Sequence, residues 1–320
     1  MRIHVLALDG VFDLGLSAIL DTFGTAGDLA SGSGRGATRF EVTLVGVRRR
    51  VRTGQGLLVP VTTPARAGRA DVVVLPALGA KTPALVAKML ERSDVRDAAA
   101  LLGRYAAAGT MVGAACTGTF LLAAAGLLDG RAATTTWWLA PLFRERFPRV
   151  TLDDSRMVVP AGRVVTAGAA LAHLDLALGT VRSRSPALAA LAARYLLIEA
   201  RGSQAEFVIP DHLAHADPVV ERFEAWARQN LSRGFSLGDA AQAVGASERT
   251  LARRLRSVLG KSPLSYFQDL RIERAVHLLR TGSDSVDRIA AQIGYADGVT
   301  LRTLLRRKLG RGVRELRARA

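Results

Sequence analysis

One stretch of the chain occurs twice. Ser236-Leu-Gly-Asp-Ala-Ala-Gln-Ala-Val-Gly245 returns 49 residues later as Ser285-Val-Asp-Arg-Ile-Ala-Ala-Gln-Ile-Gly294. After one inserted residue, Leu251, Leu255, Leu259 and Gly260 match Leu301, Leu305, Leu309 and Gly310 at an offset of 50. From Pro218 onward the pattern is helical, with no strand signal. A repeat of this kind requires both copies to bury the same apolar positions in the same way. Each copy reads as a short helix, a glycine-containing turn and a longer basic helix, which is the sequence form of a helix-turn-helix.

Charge says what such a unit can meet. The 320 residues carry 44 Lys and Arg against 28 Asp and Glu, a formal +16 with a pI near 11.3. Residues 221–320 hold 20 of the bases and 10 of the acids, so +10 of the excess lies in the last 100 residues. A polyanion is the expected partner, an anionic membrane surface the alternative. In the first copy Ser247 can cap a helix whose apolar positions are Leu251, Leu255 and Leu259. Arg249, Arg253 and Arg256 share the other side at i, i+4 and i+7. Guanidinium groups so spaced can enter a major groove, reading guanine edges while flanking cations hold phosphates. The plainer reading is a solvated basic face on a helical bundle; the duplicated turn pattern favours double-stranded DNA.

The residues that carry this reading are Ser247-x-Arg249-Thr250-Leu251-x-Arg253-x-Leu255, Gly260-Lys-Ser-Pro263-Leu-x-Tyr266, Arg271-Ile-x-Arg274-Ala275-x-x-Leu278-Leu279 and Ile289-Ala290-x-x-x-Gly294-Tyr295. Over about residues 220–318 they resemble the AraC family of transcription factors, in its DNA-binding domain of two helix-turn-helices joined by a long helix. The resemblance implies that Arg249, Ala252 and Arg253 sit where the first recognition helix meets bases. Gly298, Val299 and Thr303 form the corresponding face of the second. The chain departs from the family there. Gly298 is a poor helix former, Val299 offers only apolar contact, the usual aromatics are Leu304 and Leu305, and the closing motif reads Gly312-Val313-Arg314-Glu315-Leu316-Arg317. The first copy is therefore expected to supply most base specificity, and the second mainly backbone contacts through Arg302, Arg306, Arg307 and Lys308.

Upstream the pattern changes. Short apolar runs at Ile3–Leu8, Phe40–Val47, Val72–Leu75, Thr110–Ala115 and Val164–Ala167 alternate with helical stretches at Leu14–Leu29, Ala84–Ala107, Thr119–Leu128, Trp137–Phe147 and Ala169–Val181, and Pro186–Ala200 closes the series. That alternation predicts an α/β domain, a parallel sheet with helices on both faces. The expected organisation is 1–200, a linker over 201–220, and 221–320. No charge occurs between Arg104 and Asp129, a length that would cross a bilayer. Gly109, Gly113 and Gly118 divide that stretch into strand, turn and helix, which favours a soluble core. The first apolar run stops at Asp9, too short for a signal peptide. A single cysteine, Cys116, fits a cytoplasmic chain.

Cys116 lies between the strand Met111-Val-Gly-Ala-Ala115 and a helix opened by Thr117-Gly118, a sharp turn flanked by small residues. A helix N-terminus there would favour thiolate; the alternative is one more small buried residue. A nucleophile needs a base. Of His4, His173, His212, His215 and His277, none is a sequence neighbour of Cys116. No spacing suits a metal, and no cofactor is expected. Gly32, Gly34 and Gly36 follow a helix and read as a flexible loop, not a phosphate cradle.

The stretch Ala115-Cys116-Thr117-Gly118-Thr119-Phe120 through Asp129-Gly130-Arg131-Ala132-Ala133-Thr134-Thr135 resembles the ThiJ/PfpI superfamily over about residues 1–200. That implies a class I glutamine amidotransferase-like, flavodoxin-like fold. Enzymatic members carry His directly after the nucleophile, where this chain has Thr117. The regulatory subgroup commonly has His before Trp, where this chain has Thr136 before Trp137. Asp13 matches the acid that approaches the cysteine. With both imidazoles replaced, the domain is expected to be non-catalytic. Its ligand site would lie near Asp13, Cys116, Thr117 and Thr136, with Trp137 lining it or serving core or dimer contacts. Together the two halves resemble the GlxA family of transcriptional regulators: a dimerising α/β domain, a small-molecule effector and paired DNA half-sites. A Cys116-dependent enzyme, or a redox sensor tethered to DNA, is the alternative.

Overall fold

The computed structural model describes residues 1–32, 39–199, 201, 203–204 and 217–317. It divides into two compact units, Met1–Ala205 and Glu206–Ala320.

The first unit runs β1 (Arg2–Leu6), α1 (Asp13–Gly32), β2 (Glu41–Val45), β3 (Arg50–Arg52), β4 (Leu58–Pro60), α2 (Pro64–Ala67), β5 (Val72–Leu75), α3 (Pro83–Glu91), α4 (Ser93–Ala107), β6 (Met111–Ala115) and α5 (Gly118–Ala124). It continues through β7 (Ala132–Ala133), a 3-10 turn at Trp137–Leu139, α6 (Ala140–Arg146), β8 (Thr151–Leu152), β9 (Val158–Ala161), β10 (Val164–Ala167), α7 (Ala172–Arg184) and α8 (Pro186–Tyr195). Six strands form one sheet in the order β2-β1-β5-β6-β10-β9. All five expected apolar runs are strands in it, and the uninterrupted Val72–Leu75 lies inside it, buried throughout.

Two expectations need correction. The sheet is mixed, not parallel: β9 pairs antiparallel with β10, Ala161 opposite Val164 and Val158 opposite Ala167. Only Gly162 and Arg163 separate these strands, and a two-residue link can join only antiparallel neighbours. The helical stretch 84–107 is two helices. Arg92 leaves the helical region at φ −66°, ψ 142°, and its guanidinium is held by Asp94 and by the Asp9 carbonyl at 2.8 Å. Helices α1, α7 and α8 pack together, and α3, α4 and α5 form a second group. The loop expected from Gly34 and Gly36 lies outside the described residues; Gly32 ends α1.

The second unit is helical: α9 (Pro218–Gln229), α10 (Leu237–Ala243), α11 (Glu248–Leu259), α12 (Pro263–Thr281), α13 (Val286–Gln292), α14 (Gly298–Leu309) and α15 (Val313–Arg317). The repeat is visible in the caps. Ser236 and Ser285 each accept a hydrogen bond from the backbone N–H three residues on, which fixes where each short helix starts. Ser247 and Asp297 do the same for the longer helices. Both longer helices stop at a left-handed glycine, Gly260 and Gly310. Leu251, Leu255 and Leu259 are buried, as are Leu301 and Leu305.

Candidate functional site

Capping at Ser247 sets the phase of α11, so burial of Leu251, Leu255 and Leu259 turns Arg249, Arg253 and Arg256 outward. All three are exposed, and Ala252 beside them is partly buried. On α14, Val299 is 66% exposed, and Arg302, Thr303, Arg306 and Arg307 are exposed with it. The Thr303 hydroxyl donates to the Val299 carbonyl at 3.0 Å, leaving it an acceptor for any partner.

Ion pairing sorts the cations further. Arg254 lies 3.3 Å from Asp217. Lys308 and Lys261 both reach the Asp269 carboxylate, at 2.7 and 2.8 Å. Arg249, Arg253, Arg256, Arg302, Arg306 and Arg307 form no ion pair among the described residues. Their donors face water and are available for phosphate or base edges. Lys308, expected to grip backbone, is instead committed to Asp269, because its stem turns toward α12.

The two helix pairs are tied together by a residue whose role the sequence did not reveal. Arg271 on α12 is buried; its Nε donates to the Leu231 carbonyl at 2.8 Å and Nη2 to that of Arg233. Its guanidinium lies over Phe267 and Tyr295, at 4.8 and 5.2 Å from the ring centroids. Leu304 and Leu305, in place of the family's aromatics, pack in the second pair's core.

In the first unit the strand–helix turn expected at Cys116 is present. Cys116 has φ +54°, a left-handed conformation unfavourable for a side-chain-bearing residue. Its N–H donates to Ala167, and its carbonyl accepts from the Thr135 hydroxyl at 2.8 Å. Gly118 permits the close approach: a Cβ there would lie 3.0 Å from the Leu75 and Pro76 carbonyl oxygens. Cys116 is only 5% exposed, and burial pushes its thiol up to about 11. The Thr117 backbone N–H and the Thr136 and Thr117 hydroxyls act against that shift; beyond the thiol, the buried Thr136 Oγ1 has no hydrogen-bond partner among the described residues. Burial therefore works against the thiolate expected at a helix N-terminus, desolvation opposing the short helix's dipole.

The other expected ligand residues differ in availability. Asp13 opens α1; its Oδ2 accepts from Gln55 N–H at 2.9 Å, and its buried Oδ1 has no partner among the described residues. Thr117 is consumed, its hydroxyl donating to the Leu78 carbonyl at 2.6 Å and accepting from Leu78 N–H at 2.9 Å. Trp137 is buried and meets Trp138 edge-on at 5.4 Å.

No described histidine serves the thiol. His173 Nε2 accepts from Ala77 N–H at 3.0 Å and Nδ1 is held by the Ala170 carbonyl, so both ring nitrogens are occupied. Burial lowers its pKa to about 4, and the ring fills the space beside Gly15. His4 is bonded to the Tyr105 hydroxyl at 2.6 Å, and His277 is exposed on α12. His212 and His215 lie outside the described residues. Among the described residues no cluster of His, Cys, Asp or Glu could hold a metal, and no helix is long and apolar enough to cross a membrane.

A mixed α/β domain with a strained cysteine turn, joined to capped short-helix/long-helix pairs with unpaired arginines, defines a two-part class. Residues 1–183 match the DJ-1/PfpI family, and the chain belongs to it. Residues 240–319 match a helix-turn-helix domain. The chain is similar to the HTH-type transcriptional regulator GbdR of Pseudomonas aeruginosa, 30% identical over 210 residues, 64% of this chain and 57% of that regulator. It is also similar to the HTH-type transcriptional regulator GlxA of Rhizobium meliloti, 29% identical over 242 residues, 72% of this chain and 73% of that one. The match thus spans under two thirds of GbdR. The fold is shared with the crystal structure of an AraC family transcriptional regulator from Pseudomonas putida, at a TM-score of 0.51 and 22% identity, covering 61% of this chain and 98% of that one.

Proposed function

We propose that the chain is a dimeric transcriptional regulator that binds double-stranded DNA through two helix-turn-helix motifs, with its flavodoxin-like domain holding a small effector and performing no catalysis. The observation that carries this reading is the sorting of cations on α11 and α14. Six arginines on the exposed faces have no carboxylate among the described residues, while Arg254 and Lys308 beside them do. A solvated basic face made only for solubility gives no reason for that division. In a dimer each chain would offer α11 to one half-site, Arg249, Arg253 and Arg256 reading bases with Ala252 and Val299 in apolar contact. Arg302, Arg306 and Arg307, with the Thr303 hydroxyl, would hold phosphates. The effector would lie near Asp13, whose buried Oδ1 has no hydrogen-bond partner among the described residues, and near Thr136, above Cys116 and Thr117.

The enzyme and redox-sensor readings require a reactive thiol. A buried Cys116 with its thiol raised to about 11 and no described imidazole beside it supports neither. The test is selection of bound fragments from genomic DNA by the full-length protein, followed by titration of an enriched duplex. Binding should weaken about 10³-fold between 50 and 200 mM salt for about six phosphate contacts per dimer, and Cys116→Ser should bind as the parent does. Failure to enrich any sequence overturns the proposal.

A further inference from the structure

The last described residues before the segment joining the two units are not loose. Arg201 Nη2 donates to Asp175 Oδ2 at 2.6 Å and to the Leu171 carbonyl at 2.9 Å, which pins the chain to α7. Ser203 forms an antiparallel bridge with Arg156, and its hydroxyl donates to the Ser155 carbonyl at 2.9 Å. Gln204 goes deepest. Its side chain is 1% exposed; Nε2 donates to Thr134 Oγ1 at 3.1 Å and to the Thr135 carbonyl at 3.0 Å, and Oε1 accepts from Ala169 N–H at 3.1 Å. Gly168 leaves room for it, since a Cβ there would lie 2.5 Å from Gln204 Oε1.

Burying a long amide side chain costs rotamer entropy and desolvation, and is sustained only where its donors and acceptor are met. Gln204 meets them on the strip that backs the cysteine turn. Thr135 Oγ1 donates to the Cys116 carbonyl, and Thr135 offers its own carbonyl to Gln204. Two hydrogen bonds therefore separate Cys116 from Gln204, and the buried Thr136 is the next residue along the same strip.

We propose that Gln204 is a latch, by which the Thr134–Thr136 strip behind Cys116 sets how firmly the start of the interdomain segment is held. An occupant that moves Thr136 displaces the Thr135 carbonyl, and the Gln204 amide loses its seat. Conversely, release of Gln204 loosens the strip, because coupling between two sites is reciprocal. The direction of signalling rests on the effector reading above; the coupling itself does not.

The test uses the full-length chain and reads tryptic cleavage after Arg201 together with amide hydrogen exchange at Ser203 and Gln204. Gln204→Leu should raise the cleavage rate 10-fold or more. Thr135→Val, which removes only the hydroxyl reaching Cys116, should raise it about 5-fold, and Thr135→Ser should restore parental protection. The double variant should cleave no faster than Gln204→Leu alone, since both act on one network. Cleavage in Thr135→Val within 2-fold of the parent overturns the latch, as does a double variant whose effects simply multiply. Should Gln204→Leu prove unfolded, Thr135→Val against Thr135→Ser still decides. Titration of the same variants on the enriched duplex keeps the two proposals apart: loss of DNA binding by every form sinks the regulator reading, whereas intact DNA binding with uncoupled cleavage sinks only the latch.

Discussion

The two copies of the repeat share one frame and present different faces. Short helices start at serine caps 49 residues apart and long helices end at glycines 50 residues apart. Within that frame one contact is exchanged between partners. In the second copy Asp287 on the short helix accepts a hydrogen bond from Gly298 N–H at 2.8 Å, and a Cβ on Gly298 would lie 2.6 Å from that carboxylate. In the first copy the glycine is on the short helix, Gly238, and the acid on the long one, Glu248, whose Oε1 lies 3.3 Å from where a Gly238 Cβ would be. Either arrangement lets a carboxylate sit between the two helices, and the acid near the long helix's N-terminus suits its dipole. Bracing differs as well. The first pair packs on α9 through Phe223, Trp226, Phe235 and Phe267, whereas the second has an aliphatic core closed by Leu316 of α15. Caps and turns preserve the geometry, so the exposed positions are free to diverge into an all-arginine face on α11 and a mixed face with Val299 and Thr303 on α14.

The largest expected effect separates the turn glycines. Gly245 and Gly294 occupy equivalent positions at φ +67° and +79°. Around Gly245 nothing lies within 4 Å of an added Cβ, while at Gly294 it would press on Arg271 and come within 2.7 and 2.9 Å of the Leu231 and Ser232 carbonyl oxygens. Gly294→Ala should cost about 2–4 kcal/mol, left-handed strain plus overpacking against backbone; Gly245→Ala should cost about 1 kcal/mol, strain alone. Urea unfolding of both variants measures this, and equal losses would mean that the Arg271 tether does not crowd the second turn.

Next in size is the division of labour on DNA. Arg253→Ala should weaken binding by about 1–3 kcal/mol and relax preference at one base pair in each half-site. Arg306→Ala should weaken all sequences nearly uniformly and lower the salt slope by about 1 per protomer. Binding to a library of single-base variants distinguishes them, and a base-specific loss from Arg306→Ala would reverse the assignment. Smaller still, Asp287→Ala should cost about 1 kcal/mol of stability, because Gly298 N–H loses its partner at a helix start. Glu248→Ala should change stability by less than about 0.5 kcal/mol, its side chain being exposed. Chemical denaturation of the two variants side by side checks the exchange.

Much of this frame could be read from the chain. Five apolar runs became strands, and the serine and glycine positions of the repeat became caps and turns, because those signals are local. What escaped depends on partners far along the sequence. Val158–Ala161 contains Pro160 and reads poorly as a strand, yet edge position and the Gly162-Arg163 turn make it one. The break at Arg92 is braced by the Asp9 carbonyl, 83 residues away, as well as by Asp94. Cys116 was legible as a turn; the burial of its thiol was not, because it comes from the elements packed around it. Gln204 looked like any polar linker residue, since nothing local distinguishes a buried amide from a solvated one.

Periodicity also cannot show which cations are already paired, and the smallest prediction rests there. Arg253 and Arg254 are sequence neighbours on one helix, both basic and both exposed. Arg254 is paired with Asp217, its own side chain half exposed, and a surface pair of that kind contributes at most about 1 kcal/mol to stability. Arg254→Ala should therefore leave DNA affinity within about 2-fold of the parent, against the 5-fold or larger loss expected for Arg253→Ala. Charge alone predicts equal losses, because each variant removes one positive charge from the same helix. If titration on the same duplex finds the two equal, the long-range field of the basic unit governs binding. Unequal losses of the stated order mean that the unpaired face of α11 is the surface that touches bases.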